Sequence, residues 1–358
     1  MSASDGMNYA PQGKPSPVVK PGEWGFAAAF LDHGHINGMC NGLVEAGGTL
    51  LSVYDRDPAK AAALAARFPG AKVVETFEEI LHDPRVKLVA AAAIPCERGP
   101  IGCRVMKAGK DYFTDKTPFT SLEQLAEARK VACETGMKYM VYYSERLHVE
   151  AAVFAGQLIQ EGAIGKVVEV VGFGPHRLGD PASRPDWFFR KAQYGGILCD
   201  IASHQFDQFL FYSGARDATV TMATVANRYW KEFPELEDFG EAHLIGDNGA
   251  TNFIRVDWLT PKASRVWGDG RTFILGTEGY IEMRKYVEVG RPEEGNNNLY
   301  LVNGEVEKRF ELTGKVGYPF FGQLILDCIN RTENAMTQEH AFKAAELCLT
   351  AQKMARRI

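Results

Sequence analysis

The sequence lacks the features that would assign it at once to several classes of protein. None of its apolar runs approaches the roughly 18 residues that a membrane-spanning helix needs. Its formal net charge is −5 at pH 7, so the basic excess that is typical of nucleic-acid-binding proteins is missing. We therefore expect neither a membrane nor a nucleic acid among its partners.

Cysteine is present, but without any pairing pattern. The seven cysteines are scattered, odd in number and never spaced as C-x-x-C. This usage is typical of a reducing compartment, so a cytoplasmic protein is predicted rather than a disulfide framework. His33 and His35 are close neighbours, but no Cys or His cluster at zinc spacing accompanies them, and no metal is predicted.

Length and composition indicate two domains with ample material for a core. The chain has 358 residues, of which 46% are hydrophobic and 24% are charged. Residues 1–22 are polar and hold four prolines. They are predicted to form an extended arm that lies on a partner subunit, with a disordered tail as the alternative. The two domains are expected at 23–145 and 146–358.

Strand and helix patterns alternate through residues 23–145. The strand patterns fall at 25–31, 49–55, 86–94 and 137–143, and a further extended stretch is predicted at 111–116. Thr76 with Glu79, and Ser121 with Gln124, have the spacing of capping boxes at helix starts. This alternation predicts an α/β domain with a doubly wound parallel sheet.

The second part of the chain, 146–358, has a different pattern. A helix and a strand are followed by a long helix pattern at 197–214, and then by several short β-rich stretches separated by Gly, Asn and Asp. Such stretches are typical of one large, open, mainly antiparallel sheet. A helical tail is expected over 320–358. The prediction is an α+β domain with C-terminal helices.

The segment AAFLDHGHINGM (28–39) lies where a dinucleotide-binding loop would lie, between a strand and a helix. The three glycine positions of the G-x-G-x-x-G fingerprint hold Asp32, Gly34 and Asn37. Gly34 would let the backbone approach a pyrophosphate. The Asp32 carboxylate is expected to bond within its own loop or to pair with His33 or His35. A plain strand-turn-helix is the alternative.

Asp55 strengthens the prediction of a dinucleotide site. It follows Gly34 by about 20 residues, the spacing at which an acidic residue binds the adenosine ribose hydroxyls. A carboxylate there would repel a 2′-phosphate and so favours NAD over NADP, although Arg56 could offset that preference. An exposed turn residue is the alternative reading of Asp55.

Two further groups of residues have the chemistry of alcohol oxidation. Lys116 follows a predicted strand end, where a lysine could donate a hydrogen bond to an alcohol oxygen. Asp200 and His204 are spaced i and i+4, so they are predicted to share one helix face, where the carboxylate would orient the imidazole. A solvated loop lysine and a surface ion pair are the alternatives.

In this order the motifs resemble the glucose–fructose oxidoreductase, inositol dehydrogenase and MocA family over nearly the whole chain after Trp24. The matching stretches are DHGHIN (32–37), Asp55, Asp115-Lys116-Thr117, YGGILCDIASHQFD (194–207) and GTEG (276–279). The resemblance implies a Rossmann domain with an open-sheet domain, NAD or NADP as cofactor, a sugar or cyclitol substrate, and a homodimer or homotetramer.

The resemblance also implies roles for individual residues. Lys116 would bind the reacting hydroxyl, His204 would be the acid–base group, and Asp200 would help to position substrate. The residues expected at the cofactor are Gly34, His35, Ile36, Asp55, Arg56, Pro95, Asp115 and Lys116. The candidates for substrate binding are Tyr143, Arg146, His176, Arg177, Arg184 and Trp187. The sequence departs from the family pattern at Asp32, at Thr117 and in IPCERG (94–99).

These observations predict an NAD(P)-dependent oxidoreductase that transfers a hydride between nicotinamide and a secondary alcohol of a sugar, cyclitol or derivative. Two alternatives stay open. One is glycoside hydrolysis or elimination through transient oxidation, with NAD retained. The other is a non-catalytic regulator that binds a dinucleotide.

Overall fold

The computed structural model describes residues 6–291 and 296–358, and the chain divides into two compact units. The first unit holds Met7–Tyr142 and Tyr318–Phe342. The second holds Tyr143–Gly317 and Lys343–Ile358, together with Gly6. Within the described ranges, no helix is both long and apolar enough to cross a membrane.

The first unit is built on a six-stranded sheet in which all strands are parallel. Its strands are β1 (Gly25–Ala29), β2 (Thr49–Tyr54), β3 (Lys72–Val73), β4 (Val86–Ala91), β5 (Asp111–Asp115) and β6 (Tyr139–Tyr142). Their order is β3-β2-β1-β4-β5-β6, so the direction of winding reverses between β1 and β4. Ligands bind at such a switch point, beyond the carboxyl ends of the strands.

Two of the five helices that the first part of this unit carries begin at the polar caps that the sequence indicated. They are α1 (Ile36–Glu45), α2 (Pro58–Ala65), α3 (Phe77–His82), α4 (Pro95–Lys107) and α5 (Leu122–Thr135). The capping box of Thr76 and Glu79 is confirmed. The second box is only half formed: Ser121 accepts from the N–H of Gln124, but the Gln124 side chain accepts from the N–H of Thr120 instead.

The second unit carries a nine-stranded, mainly antiparallel sheet, as predicted. Its helices are α6 (Ser144–Leu147), α7 (Glu150–Gln160), α8 (Lys191–Tyr194), α9 (Ile197–Asp200) and α10 (Ser203–Ser213). Its strands are β7 (Val167–Pro175), β8 (Ala218–Ala226), β9 (Phe239–Gly246), β10 (Thr251–Asp257), β11 (Arg271–Gly276), β12 (Gly279–Arg284), β13 (Asn298–Asn303), β14 (Glu307–Glu311) and β15 (Arg356–Arg357). The order is β14-β13-β12-β11-β7-β10-β9-β8-β15, with parallel pairing at β7–β10 and β8–β15.

Two glycines of β7 let α10 lie close to the sheet. A Cβ at Gly172 would be 2.8 Å from Cγ of Gln205, and one at Gly174 would be 2.9 Å from its Nε2. Larger residues at either position would push the helix away. This packing sets the distance between α10 and the sheet. Since His204 lies in the first turn of α10, the packing also sets its position.

The C-terminal helices depart from the predicted domain division. Helix α11 (Pro319–Asn330) belongs to the first unit, because the ring of Phe321 fills the space beside Gly42 of α1 and Phe320 lies 5.8 Å from Phe113. Helix α12 (Gln338–Met354) begins in the first unit and ends in the second. The predicted helical tail is also shorter than expected, because the chain closes with β15.

The N-terminal arm packs against its own chain. Ser16 N–H donates to the Glu45 carbonyl and Val18 N–H to that of Ala46, both at 2.9 Å. The N–H of Gly13 donates to the Glu45 carboxylate. The described part of the arm is therefore ordered against the first unit, which corrects the alternative of a disordered tail, while contact with a partner subunit stays a prediction. Residues 1–5 lie outside the described residues.

Candidate active site

The loop after β1 has the backbone form of a dinucleotide loop. Helix α1 begins at Ile36, and its N-cap residue His35 offers no side chain to the first N–H groups. A Cβ at Gly34 would lie 2.5 Å from the Met7 carbonyl oxygen and against Oδ1 of Asn8. Gly34 is thus needed for close approach, and in this structure the segment that approaches it is the arm.

Asp55 is placed where the sequence predicted it, directly after β2. Its Oδ2 accepts from the N–H of Leu31 at 2.6 Å, and its Oδ1 accepts from the N–H of Asp57 at 2.8 Å. The carboxylate therefore braces the loop after β1 against the end of β2. Each oxygen keeps a lone pair that can accept from a ribose hydroxyl.

The structure gives Asp32 a partner that the sequence did not indicate. Its Oδ1 faces Nζ of Lys60 on α2 at 3.6 Å, rather than His33 or His35. Burial raises the pKa of this carboxyl group. Lys60 lies in the first turn of the helix after β2, so this contact joins residues that the local spacing of the loop does not relate.

Asp115 is the centre of a buried polar cluster at the end of β5. Its Oδ1 lies 2.9 Å from Nδ1 of His35, and its Oδ2 lies 3.3 Å from Nδ1 of His33 and 3.2 Å from Nη2 of Arg98. Burial would raise the pKa of Asp115, but His35, His33 and Arg98 outweigh it and hold the pKa well below its usual range. Lys116, the next residue, is 4% exposed.

Three members of this cluster also have the geometry of a metal site, which the sequence had not indicated. His33, His35 and Asp115 offer ligand atoms within 4.8 Å of one another. Arg98 already places a positive charge on the same carboxylate and would repel a cation. Burial and the neighbouring His35 lower the pKa of His33 well below its usual value. We therefore describe the cluster as an ion-pair network.

The residues of the first unit fit a dinucleotide. The glycine at close approach, the uncapped start of α1 and the carboxylate after β2 are the three elements that the binding of a pyrophosphate and a ribose needs. Pro95 opens α4 after β4, at the switch point of the sheet. Arg56 pairs with Glu97 at 2.8 Å, so its charge is already compensated.

In the second unit, the predicted single helix carrying Asp200 and His204 is broken. Helix α9 ends at Asp200 and α10 begins at Ser203. The N–H of His204 donates to the Ile201 carbonyl, and the Ser203 hydroxyl donates to the carbonyl of Asp200. The backbone between the two residues keeps helical dihedral angles at Ile201 and Ala202, and the pairing of Asp200 with His204 stays a prediction. His204 is 2% exposed, while Asp200 is half-buried.

The sequence did not indicate the buried charge network that lies near His204. Oε2 of Glu145, on α6, accepts from Nζ of Lys285 at 2.8 Å and from Nε2 of Gln205 at 3.0 Å. Burial raises the pKa of Glu145, but the combined effect of Lys285, His204 and His176 is larger and lowers this pKa to about 2. Because Glu145 and Lys285 are 140 residues apart, no local pattern in the sequence links them.

All three arginine candidates for substrate binding already have protein partners. Arg146 makes a two-point ion pair with Asp207, with both bonds at 2.7 Å. Arg177 donates to loop carbonyls, including that of Ser264, and Arg184 donates to the Leu178 carbonyl at 2.9 Å. These contacts give the guanidinium groups a structural role, and a role in substrate binding stays a prediction.

The remaining candidates are aromatic and buried. The ring of His176 lies 4.4 Å from that of Trp267 and 5.3 Å from that of Trp258. Trp187 lies in a short 3-10 helix, Asp186–Phe189, and Tyr143 is fully buried. His176 helps to lower the pKa of the Glu145 carboxyl group. Substrate binding by His176, Trp187 and Tyr143 stays a prediction.

Known proteins resemble this chain over both units. Residues 26–143 match the model of the oxidoreductase family with an NAD-binding Rossmann fold, and residues 153–282 match the GFO/IDH/MocA C-terminal domain. A crystal structure of a putative oxidoreductase from Erwinia carotovora atroseptica is 48% identical, with a TM-score of 0.90, and the match covers 94% of this chain and 100% of that one.

Curated relatives are more distant. D-xylose dehydrogenase of Paenarthrobacter nicotinovorans is 29% identical over 42% of this chain, and scyllo-inositol 2-dehydrogenase (NAD(+)) of Bacillus subtilis is 26% identical over 66% of it. The matches span 39% and 66% of the length of these two relatives. The two family models together cover both units of the fold, and the chain therefore belongs to the GFO/IDH/MocA family of oxidoreductases.

Proposed function

We propose that this protein is an NAD(P)-dependent dehydrogenase that oxidises a secondary alcohol on a sugar, cyclitol or derivative. The observation that carries the proposal is the position of Lys116. It is the first residue after β5, it is nearly buried, and it lies one strand from the switch point of an NAD-type sheet. A lysine held there has the reach and the charge to bind an alcohol oxygen beside a nicotinamide.

The chain's own residues supply the polar part of this reaction. Lys116 donates a hydrogen bond to the hydroxyl oxygen and holds it in place. The imidazole of His204 takes the hydroxyl proton as the C–H bond breaks, so that the products are a ketone, a reduced nicotinamide and a proton. The bound cofactor supplies the hydride acceptor. Glu145 adds a negative charge that stabilises the protonated imidazole.

NAD is the preferred cofactor in this proposal. The Asp55 carboxylate stands at the end of β2, where it would accept from ribose hydroxyls and repel a 2′-phosphate. Arg56, the residue that could offset this preference, is engaged by Glu97. Both observations favour NAD over NADP.

We further propose that the protein forms a homodimer or homotetramer through its open sheet and works in the cytoplasm. Alternate residues of β7, β10 and β11 stay half-exposed, and among them are Phe173, Phe253 and Phe273. A second copy of the chain would cover this apolar face. All seven cysteines are free thiols, which supports a reducing compartment.

A substrate screen tests the proposed activity. Sugars, cyclitols and sugar acids are offered with NAD and with NADP, and the absorbance of reduced nicotinamide is followed. Lys116→Ala and His204→Ala are each expected to abolish the reaction while still binding NADH. Full activity in either variant would remove that residue from the mechanism. Product release without net NADH would favour the hydrolytic alternative.

A further inference from the structure

Arg98 carries a positive charge into the interior of the first unit. It lies on α4, it is 0% exposed, and it is among the largest fully buried side chains of the protein. A guanidinium is stable in such a place only when its five N–H donors meet acceptors. The identity of those acceptors therefore shows what the side chain does.

The acceptors of Arg98 come from two strand ends. Nε donates to the Ala93 carbonyl at 2.6 Å, beyond β4. Nη1 donates to the carbonyl of Lys116 and, at 3.2 Å, to that of Thr117, while Nη2 donates to Asp115. One planar group thus holds the carbonyls of two successive peptides, Lys116–Thr117 and Thr117–Pro118.

The same network reaches a third strand end. Asp115 is held between Arg98 and His35, and His35 belongs to the loop after β1. The N–H of His35 lies 3.2 Å from Nδ1 of His33, so both histidines are fixed by the loop they stand in. Arg98 and Asp115 therefore connect the ends of β1, β4 and β5, which are neighbours in the sheet.

From these contacts we propose that Arg98 is a positioning residue, which acts by holding the carbonyl of Lys116 so that the lysine side chain stands in one place at the switch point. The proposal rests on the proposed function, since it takes Lys116 to be the residue that binds the alcohol. A lysine on an unbraced loop would sample several positions. A displacement of roughly 1 Å in a reacting group costs on the order of 100-fold in rate.

Arg98→Lys is the informative variant, because it keeps the charge beside Asp115. The single ammonium group of a lysine cannot bond to the Ala93 carbonyl, the Lys116 carbonyl and the Asp115 carboxylate at the same time, as the planar guanidinium of arginine does. We expect kcat to fall about 100-fold, with KM for NAD and the binding of NADH unchanged. Arg98→Met is the second variant.

Arg104→Met is the matched control. Arg104 lies on the same helix, but it is exposed and pairs with Glu78, away from Lys116. It is expected to leave kcat unchanged. A second readout needs no substrate: hydrogen–deuterium exchange in the peptide that spans residues 114–119 is expected to rise in both Arg98 variants and to stay at the wild-type rate in the control.

The outcomes separate the two proposals. Wild-type kcat and wild-type exchange in Arg98→Lys would overturn the role of Arg98, and so would an equal loss of kcat in Arg104→Met. If the wild-type protein oxidises no alcohol, the proposed function fails, and exchange at residues 114–119 still decides whether Arg98 holds the lysine. If Arg98→Met does not fold, the decision rests on Arg98→Lys.

Discussion

At the scale of single residues, the buried charges of this protein find partners far away in the sequence. Arg98 and Glu145 are both fully buried, and each is compensated by groups from other elements. The segment 94–99 stood out in the sequence as a departure from the family pattern, and Arg98 lies within it. The structure explains the departure, since this arginine reaches the residues around Lys116.

Asp55→Ala is expected to weaken both the fold and the binding of NAD. The variant leaves the N–H groups of Leu31 and Asp57 without their acceptor. The loss of stability should be about 1–3 kcal/mol, the cost of leaving such groups unpaired. Urea unfolding measures the stability, and quenching of tryptophan fluorescence by NAD measures the binding.

Asp57→Ala is the control for this prediction. Asp57 is exposed and caps α2 by accepting from the N–H of Ala59. Its removal should cost about 1 kcal/mol of stability and leave NAD binding unchanged. Equal weakening of NAD binding in the two variants would contradict a specific role for the Asp55 carboxylate.

At the scale of elements, the most informative contact joins the arm to the loop after β1. Met7 and Asn8 lie in the direction in which a side chain at Gly34 would point. This is also the direction from which a pyrophosphate approaches the second glycine of the fingerprint. The arm backbone also lies close to Gly38, one turn further along α1. We therefore expect the arm and the cofactor to compete for the start of this helix.

Removal of residues 1–10 is expected to tighten NAD binding. NAD then binds without first displacing the arm from Gly34. We expect its affinity to rise about tenfold, which corresponds to roughly 1.4 kcal/mol. Isothermal titration measures the affinity. Removal of residues 1–5 alone is the control, because it keeps Met7 and Asn8 in place. Weaker NAD binding after the longer deletion would show that the arm assists the cofactor instead.

At the scale of the whole molecule, buried carboxylates set the response to acid. The pKa of Glu145 lies at about 2, below its ordinary value of 4.5, and that of Asp115 is also lowered. A carboxyl group with a lowered pKa stabilises the folded state above the unfolded pKa. This contribution is lost as the pH falls through the folded pKa. Stability should therefore decline from about pH 4.5 towards pH 2.

Glu145→Gln is expected to flatten this decline. One such group contributes up to about 1.4 kcal/mol per pH unit between its two pKa values. The variant is also less stable at neutral pH, by about 3–5 kcal/mol, because Lys285 keeps a buried charge without its partner. Urea unfolding at a series of pH values measures both effects. Glu161→Gln, at the exposed end of α7, is the control and should keep the wild-type dependence of stability on pH.

The sequence by itself determined the order of the elements and the type of each sheet. Periodicity and helix caps are local properties, so the parallel sheet, the open antiparallel sheet and the capping box at Thr76 were all predicted correctly. The loop at Gly34 and the carboxylate of Asp55 were placed by spacing alone.

Only the tertiary structure decided which side chains meet. Asp32 turned to Lys60, the helix of Asp200 and His204 was broken, and α11 joined the first unit. The partners of Arg98 and Glu145 also follow only from the tertiary structure. A buried charge is compensated by groups that are close in space but have no regular spacing in the sequence. The local chain therefore specifies where a functional residue stands, and long-range packing specifies what holds it there.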